Sequence, residues 1–201
     1  MSYAIVGFGK IGQALAHAFA RKNIEVTVAS RRQPEELAPL ARAIGPTVVA
    51  KSLRDALVDS DTIMLAVPFG EHQEVAKALP SWKGKTVIDA MNSFPVPPEE
   101  LDGLPSSAFV AKSFTGAKLV KGFNHLGAAK LATDPIVDGG HRVVFLSSDE
   151  EDAIALVADL AKQLGFAPVK LGKFNEGGAL VHARGKTWGP LIFQDLFKKQ
   201  Q

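Results

Sequence analysis

Short apolar runs alternate with amphipathic stretches along most of the chain. The runs are Tyr3–Val6, Glu25–Ala29, Thr47–Ala50, Thr62–Val67, Thr86–Asp89, Lys118–Phe123, Arg142–Leu146 and Pro168–Leu171. Most are apolar at successive positions rather than at every second one, the pattern of strands covered on both faces. Between them, apolar residues fall at helical spacing. Ile11, Leu15, Ala18 and Phe19 form one stripe, and Leu37, Leu40, Ala41 and Ile44 form a second. Ser148-Asp149-Glu150-Glu151 reads as a capping box opening a third helix. Its stripe of Ile154, Val157, Leu160, Ala161 and Leu164 stops at Gly165, a residue suited to a left-handed cap. Alternation of this kind predicts an α/β fold with a doubly wound, mostly parallel sheet.

Two regions depart from the alternation. The Pro-rich stretch from Phe94–Pro98 through Pro105 reads as a long functional loop. From Gly172 onward, Gly177-Gly178 precede a helical segment near Ala179–Arg184, and Trp188 to Phe197 follows. The expected division is therefore a nucleotide-binding domain over residues 1–171 and a small helical extension over 172–201. That extension is too short to fold alone, so it is expected to complete the substrate pocket, a homodimer interface, or both.

Composition narrows the chemistry. The chain has 201 residues, 46% hydrophobic, with 23 Lys+Arg against 21 Asp+Glu and no cysteine. The absence of cysteine removes disulfides, thiolate metal sites and cysteine nucleophiles. A net charge of +2 with no basic run beyond Lys198-Lys199 argues against nucleic acid as a partner. No apolar stretch approaches the roughly 20 residues of a membrane helix, and Met1-Ser2-Tyr3 lacks the features of a secretory leader, so a cytoplasmic setting is expected.

Gly7-Phe8-Gly9-Lys10-Ile11-Gly12 has the G-x-G-x-x-G spacing. Alone it is a weak signal. Here it directly follows the first predicted strand and opens an amphipathic helix, the context a dinucleotide site requires. Gly7 allows the tight turn, Gly9 lets backbone approach a pyrophosphate, and Gly12 lets helix and strand pack closely. The helix N-terminus then offers unpaired N–H groups and partial positive charge to the phosphates. The fold expected is thus a Rossmann sheet.

The second strand should end in Asp or Glu for NAD. It ends instead in Ser30-Arg31-Arg32, a hydroxyl and two guanidiniums. Arginine binds phosphate in a bidentate, charge-assisted way, so the 2′-phosphate of NADP is the expected partner. At the reacting end, Ala66-Val67-Pro68 after the fourth strand could wall the nicotinamide, and Asn92 after the fifth could orient its amide. Each could equally be a strand-ending turn.

Catalytic machinery is sparse. The histidines are His17, His72, His125, His141 and His182. His17 lies within the first helix and His72 opens another, as structural or solvated residues. His125 alone sits at a predicted strand tip, as a candidate proton donor or hydrogen-bonding partner for the second substrate. No metal-binding spacing and no Gly-x-Ser-x-Gly is present. The sole tyrosine, Tyr3, begins the first strand and is badly placed to protonate an alkoxide. Hydride transfer between two cofactor rings needs little beyond positioning and exclusion of water.

Gly7–Gly12, Ser30-Arg31-Arg32, Ala66-Val67-Pro68, Asp89-Ala90-Met91-Asn92 and Val120-Lys121-Gly122-Phe123-Asn124 resemble the NADPH-dependent deazaflavin-coenzyme oxidoreductases. Gly177-Gly178-Ala179 with Ala183-Arg184 is similar to their C-terminal pattern. The same signature occurs in the cytosolic domain of six-transmembrane metalloreductases. The resemblance implies a homodimer and hydride transfer between NADP(H) and a deazaflavin, with a flavin such as FMN as a further acceptor. His125 stands where a small hydroxyl residue is expected, and the loop from Phe94 to Pro105 diverges. Two other readings stand beside this one. They are a non-catalytic NADPH sensor or scaffold, and a short relative of the β-hydroxyacid and imine dehydrogenases.

Overall fold

The structure is a computed structural model that describes residues 1–94, 96–181 and 197–199. Six parallel strands form the body of the sheet. They are β1 (Tyr3–Val6), β2 (Val26–Ala29), β3 (Val48–Ala50), β4 (Thr62–Leu65), β5 (Thr86–Asp89) and β6 (Lys118–Gly122), in spatial order β3-β2-β1-β4-β5-β6. This is the doubly wound order of a dinucleotide-binding sheet. β1, β2, β4 and β5 are buried at every position, as their apolar runs require. Alternate residues feed opposite faces: Tyr3 and Ile5 enter one core cluster, Ala4 and Val6 the other.

The first face is covered by α1 (Lys10–Arg21), α2 (Pro34–Ile44), α6 (Ala128–Ala132) and α7 (Glu151–Gln163). The second is covered by α3 (Leu53–Val58), α4 (His72–Ala76) and α5 (Ser106–Ala111). Tyr3 packs edge-on against Phe19 of α1, with ring centroids 5.3 Å apart. The stripes are largely as expected, except that Leu40 is exposed while Leu37 and Ala41 are buried.

Helix ends show what local sequence can and cannot specify. Gly165 takes a left-handed φ of +93°, with Gly165 N–H donating to Lys162 O and Phe166 N–H to Ala161 O. These two bonds form a Schellman closure of α7. The expected capping box at its start does not form. Ser148 Oγ donates to Leu119 O on β6 and accepts from Glu150 N–H, and α7 begins at Glu151. A distant carbonyl won the hydroxyl.

Beyond β6 the sheet becomes mixed. β8 (Gly140–Ser147) pairs with β6 through Lys121↔Ser147 and Gly122↔Leu146. It also pairs in parallel with β9 (Ala167–Lys170). Its first residues pair antiparallel with β7 (Ile136–Val137) and β10 (Phe197–Lys199). The described part of the C-terminal extension holds a 3₁₀ helix over Gly177–Val181, overlapping the start of the expected helical segment, and an edge strand. His182, Ala183, Arg184 and Trp188–Leu196 lie outside the described residues.

The Pro-rich stretch carries its own packing. A 3₁₀ turn over Pro98–Leu101 buries Leu101, and Val96 packs on the second core cluster.

Candidate functional site

Register across the parallel strands aligns their carboxyl ends. Ala29, Val6, Leu65, Asp89 and Lys121 stand in one row, so Ser30, Gly7, Ala66 and Ala90 are the first residues beyond their strands, while β6 runs one residue further, to Gly122. The chain leaves β1 toward β2 but leaves β4 toward β5 on the other side. A crevice opens where the order reverses, the usual ligand position in such sheets.

A cleft of about 420 Å³ occupies this place. It brings together three of the sequence segments singled out for cofactor binding: Gly7, Phe8 and Gly9; Ser30, Arg31 and Arg32; and Ala66, Val67 and Pro68. Gly7 has a φ of +96°, and a Cβ there would lie 2.4 Å from Ala66 O. Its N–H donates to Ala29 O, tying the turn to β2. Gly9 caps α1, and a Cβ built on it meets nothing within 4 Å. That is open space at a helix N-terminus, where a pyrophosphate would fit. Gly12 is the opposite case: its Cβ would fall 1.8 Å from Gly7 O. Phe8 buries its ring in the core. Lys10 and Ile11 begin α1 without lining the cleft.

The phosphate-binding candidates are arranged as a loop around a hydroxyl. Ser30 Oγ accepts from Arg32 N–H at 3.0 Å. Arg31 reaches across to Glu71, with Nη2 to Oε1 at 2.9 Å. Glu71, Glu74, Leu53 and Val75 also line the cleft, and sequence reasoning missed all four. They come from segments after β3 and β4 with no motif of their own.

Asn92 and His125 stand apart from this cleft. Asn92 Nδ2 donates to Asn124 O at 3.0 Å, and Asn124 Nδ2 donates to Asn92 Oδ1 at 2.9 Å and to Val181 O at 2.8 Å. This exchange ties the tips of β5 and β6 to the C-terminal turn. Beneath it lies a buried charge pair whose members fall in two of the segments that carry the resemblance, though no role was assigned to either. Lys121 and Asp89 form an ion pair at 3.2 Å with both side chains fully buried. Asp89 also accepts from Ser107 Oγ and Met91 N–H, and Lys121 donates to Met91 O. The available signal was a lone lysine in an apolar strand opposite a lone aspartate, since buried charges occur in pairs.

His125 packs toward β8. Its Nε2 lies 3.2 Å from Val143 O and its ring is 5.0 Å from Phe145. Facing a carbonyl, Nε2 carries the proton, which leaves Nδ1 as a buried acceptor with no partner. Burial pushes the pKa down to about 4, with the bond to Val143 opposing it. At neutral pH the ring is uncharged and has no extra proton to deliver. His17 is exposed, and His72 is buried against Phe69 and Phe109, consistent with structural or solvated roles.

This neutral ring makes stability depend on pH. Unfolded histidine titrates near pH 6.5, so between that pH and about 4 the unfolded chain takes up a proton that the native state refuses. Stability is lost as pH falls through this window, by up to about 3 kcal/mol. In urea denaturation at pH 7 and pH 4.5, His125→Leu should remove most of this difference. An unchanged difference would count against the buried neutral ring.

Among the described residues, no helix is long and apolar enough to cross a membrane, and no cluster of three metal-ligating side chains occurs.

Residues 2–93 match the protein family described as NADP oxidoreductase, coenzyme F420-dependent. A crystal structure of a hypothetical protein from Sinorhizobium meliloti is 37% identical, with a TM-score of 0.88, covering 100% of this chain and 96% of that one. The metalloreductase STEAP3 of Rattus norvegicus is 28% identical over 170 residues, 84% of this chain. The chain spans about a third of the length of the curated relatives it matches. A reductive aminase from Aspergillus terreus, in complex with NADPH and ethyl levulinate, shares the fold: TM-score 0.65 at 18% identity, covering 95% of this chain and 59% of that one.

Proposed function

We propose that the chain, whose residues 2–93 match the family of coenzyme F420-dependent NADP oxidoreductases, is an NADP-dependent oxidoreductase that passes a hydride between NADP(H) and a deazaflavin or flavin-like ring. The observation that carries the cofactor half is the convergence of Gly7–Gly9 and Ser30–Arg32 on one cleft, with open space at Gly9. In this reading the N-terminus of α1 holds the pyrophosphate, and Ser30, Arg31 and Arg32 hold the 2′-phosphate. Val67 and Pro68 wall the nicotinamide side. Asn92, already fixed by Asn124, shapes the far end. When bound, NADPH supplies the hydride; the protein supplies placement and a dry surface.

The acceptor half rests on the family match and on a cleft lining that, among the described residues, holds no histidine, tyrosine or lysine as a proton donor. His125, buried against β8 and apart from the cleft, takes no part in this reading. Trp188–Phe197 is the segment expected to cover an apolar surface in a homodimer, and a cytoplasmic setting suits a diffusible acceptor.

Arg31→Ala should weaken NADPH binding by about 1.5–3 kcal/mol, roughly ten- to hundredfold, and leave NADH nearly unchanged. Calorimetry with both cofactors checks this, and equal losses would reject the 2′-phosphate assignment. NADPH oxidation should then be followed with a deazaflavin, FMN or a ferric chelate present. Turnover with a ring acceptor supports the proposal. Turnover only with the chelate points to metalloreductase chemistry, and tight binding without turnover to a sensor.

A further inference from the structure

We propose that Glu71 is a specificity-determining residue of the cofactor cleft, a carboxylate that holds Arg31 and competes with the cofactor's 2′-phosphate for it. The inference rests on the assignment of Ser30-Arg31-Arg32 to that phosphate. Its geometry is independent of it. Arg31 follows β2, and Glu71 closes the 3₁₀ turn Phe69–Glu71 after β4. β1 lies between those two strands. The pair, 2.9 Å from Nη2 to Oε1, therefore spans the tip of β1, where the Gly7–Gly12 turn begins. Both residues line the same cleft as Gly7 and Gly9. A dinucleotide running from the β2 edge toward β4 passes beneath or through this bridge.

The two partners are unequal. The Arg31 side chain is 83% exposed and that of Glu71 28%. Glu71 is the anchored post and Arg31 the long, movable arm. The charges facing the site are the guanidiniums of Arg31 and Arg32 and the carboxylates of Glu71 and Glu74. Glu74 is engaged by Lys77 at 2.7 Å, one turn further along the same segment, which leaves Glu71 as the carboxylate acting on Arg31. An arriving phosphate must draw Arg31 away from Glu71, or share it beside a like charge. NADH presents no anion at that position, so the bridge can persist when NADH binds. Glu71 thus limits the preference for the phosphorylated cofactor and makes its release easier.

The test is calorimetric, on the full chain. Glu71→Gln should tighten NADPH roughly three- to tenfold at low salt, consistent with one exposed ion pair. The gain should shrink as salt screens the pair. NADH affinity should stay within about twofold, since it draws on neither charge. In an Arg31→Ala background the same substitution should change NADPH by under about twofold, because there is no arm left to hold. Glu71→Ala, which also removes the carboxylate, should follow Glu71→Gln in direction. Unchanged or weaker NADPH binding overturns the inference. So does an equal gain for NADH, or an undiminished gain without Arg31. If Arg31→Ala itself spares the NADPH preference, the cofactor assignment fails. If Arg31→Ala lowers that preference while Glu71→Gln does nothing, only the role of Glu71 falls.

Discussion

Lys121→Met is expected to lower the unfolding free energy by about 3–5 kcal/mol, far more than the loss of a lysine from a surface ion pair. Lys121 and Asp89 face each other across β5 and β6 with neither side chain exposed. Without the ammonium, Asp89 loses its counter-charge and keeps neutral donors such as Ser107 Oγ and Met91 N–H, too little for a carboxylate out of water. The exposed pair Lys51–Asp59 is the internal control. Lys51→Met should cost under about 1 kcal/mol, since exposed pairs contribute little. Urea denaturation of the parent protein and both variants separates the cases, and similar losses for the two variants would show that the buried pair carries no special weight. Because Lys121 also holds Met91 O, its replacement should loosen the β5 tip and weaken cofactor binding beyond the stability loss.

Gly12→Ala is the second large effect. Its methyl would be driven to 1.8 Å from Gly7 O, which is backbone and cannot step aside without opening the turn. The expected cost is about 3 kcal/mol, the upper end of overpacking, together with loss of NADPH binding. Gly9→Ala gives the informative contrast. The site is open and the φ of −80° suits alanine, so stability should change by less than about 1 kcal/mol. NADPH affinity should nevertheless fall roughly tenfold or more, because the methyl takes the space the phosphates need. A Gly9→Ala protein that binds NADPH normally would remove the pyrophosphate from this turn.

Gly12 and Lys121 differ in how far their roles can be read from sequence. Gly12 was legible because the spacing Gly7-x-Gly9-x-x-Gly12 after an apolar strand is a local pattern with a local cause. Lys121 entered only as part of the segment Val120–Asn124 that carries the family resemblance, with no role attached to it. Nothing near it in sequence says that Asp89, 32 positions earlier, lies in register beside it. Ser148 shows the limit from the other side. Its neighbours satisfy the capping-box pattern, yet Leu119 O is the better-placed acceptor once β6 and β8 are side by side.

The candidate site divides in the same way. Ser30, Arg31 and Arg32 were found because a parallel strand ends where its apolar run ends, and the next residue must face the ligand edge. Glu71 could not be found that way, since it meets Arg31 only after β1 separates their strands. His125 was placed correctly just beyond the end of β6, but its partner carbonyl on β8 turned the ring toward Phe145 and away from the cleft.

By itself, then, the amino-acid order determined the strand and helix periods, the parallel sheet, the glycine turn and the cationic end of β2. The periods, the turn and the strand end are set by interactions within about one turn of helix or one strand, and the parallel sheet follows from their alternation. Tertiary structure alone decided the antiparallel pairing of β8 with β6, the buried Asp89–Lys121 pair, the neutral His125 and the bridge from Arg31 to Glu71. Each joins residues roughly 20 to 40 positions apart, and their energies exist only once the sheet has brought the partners together.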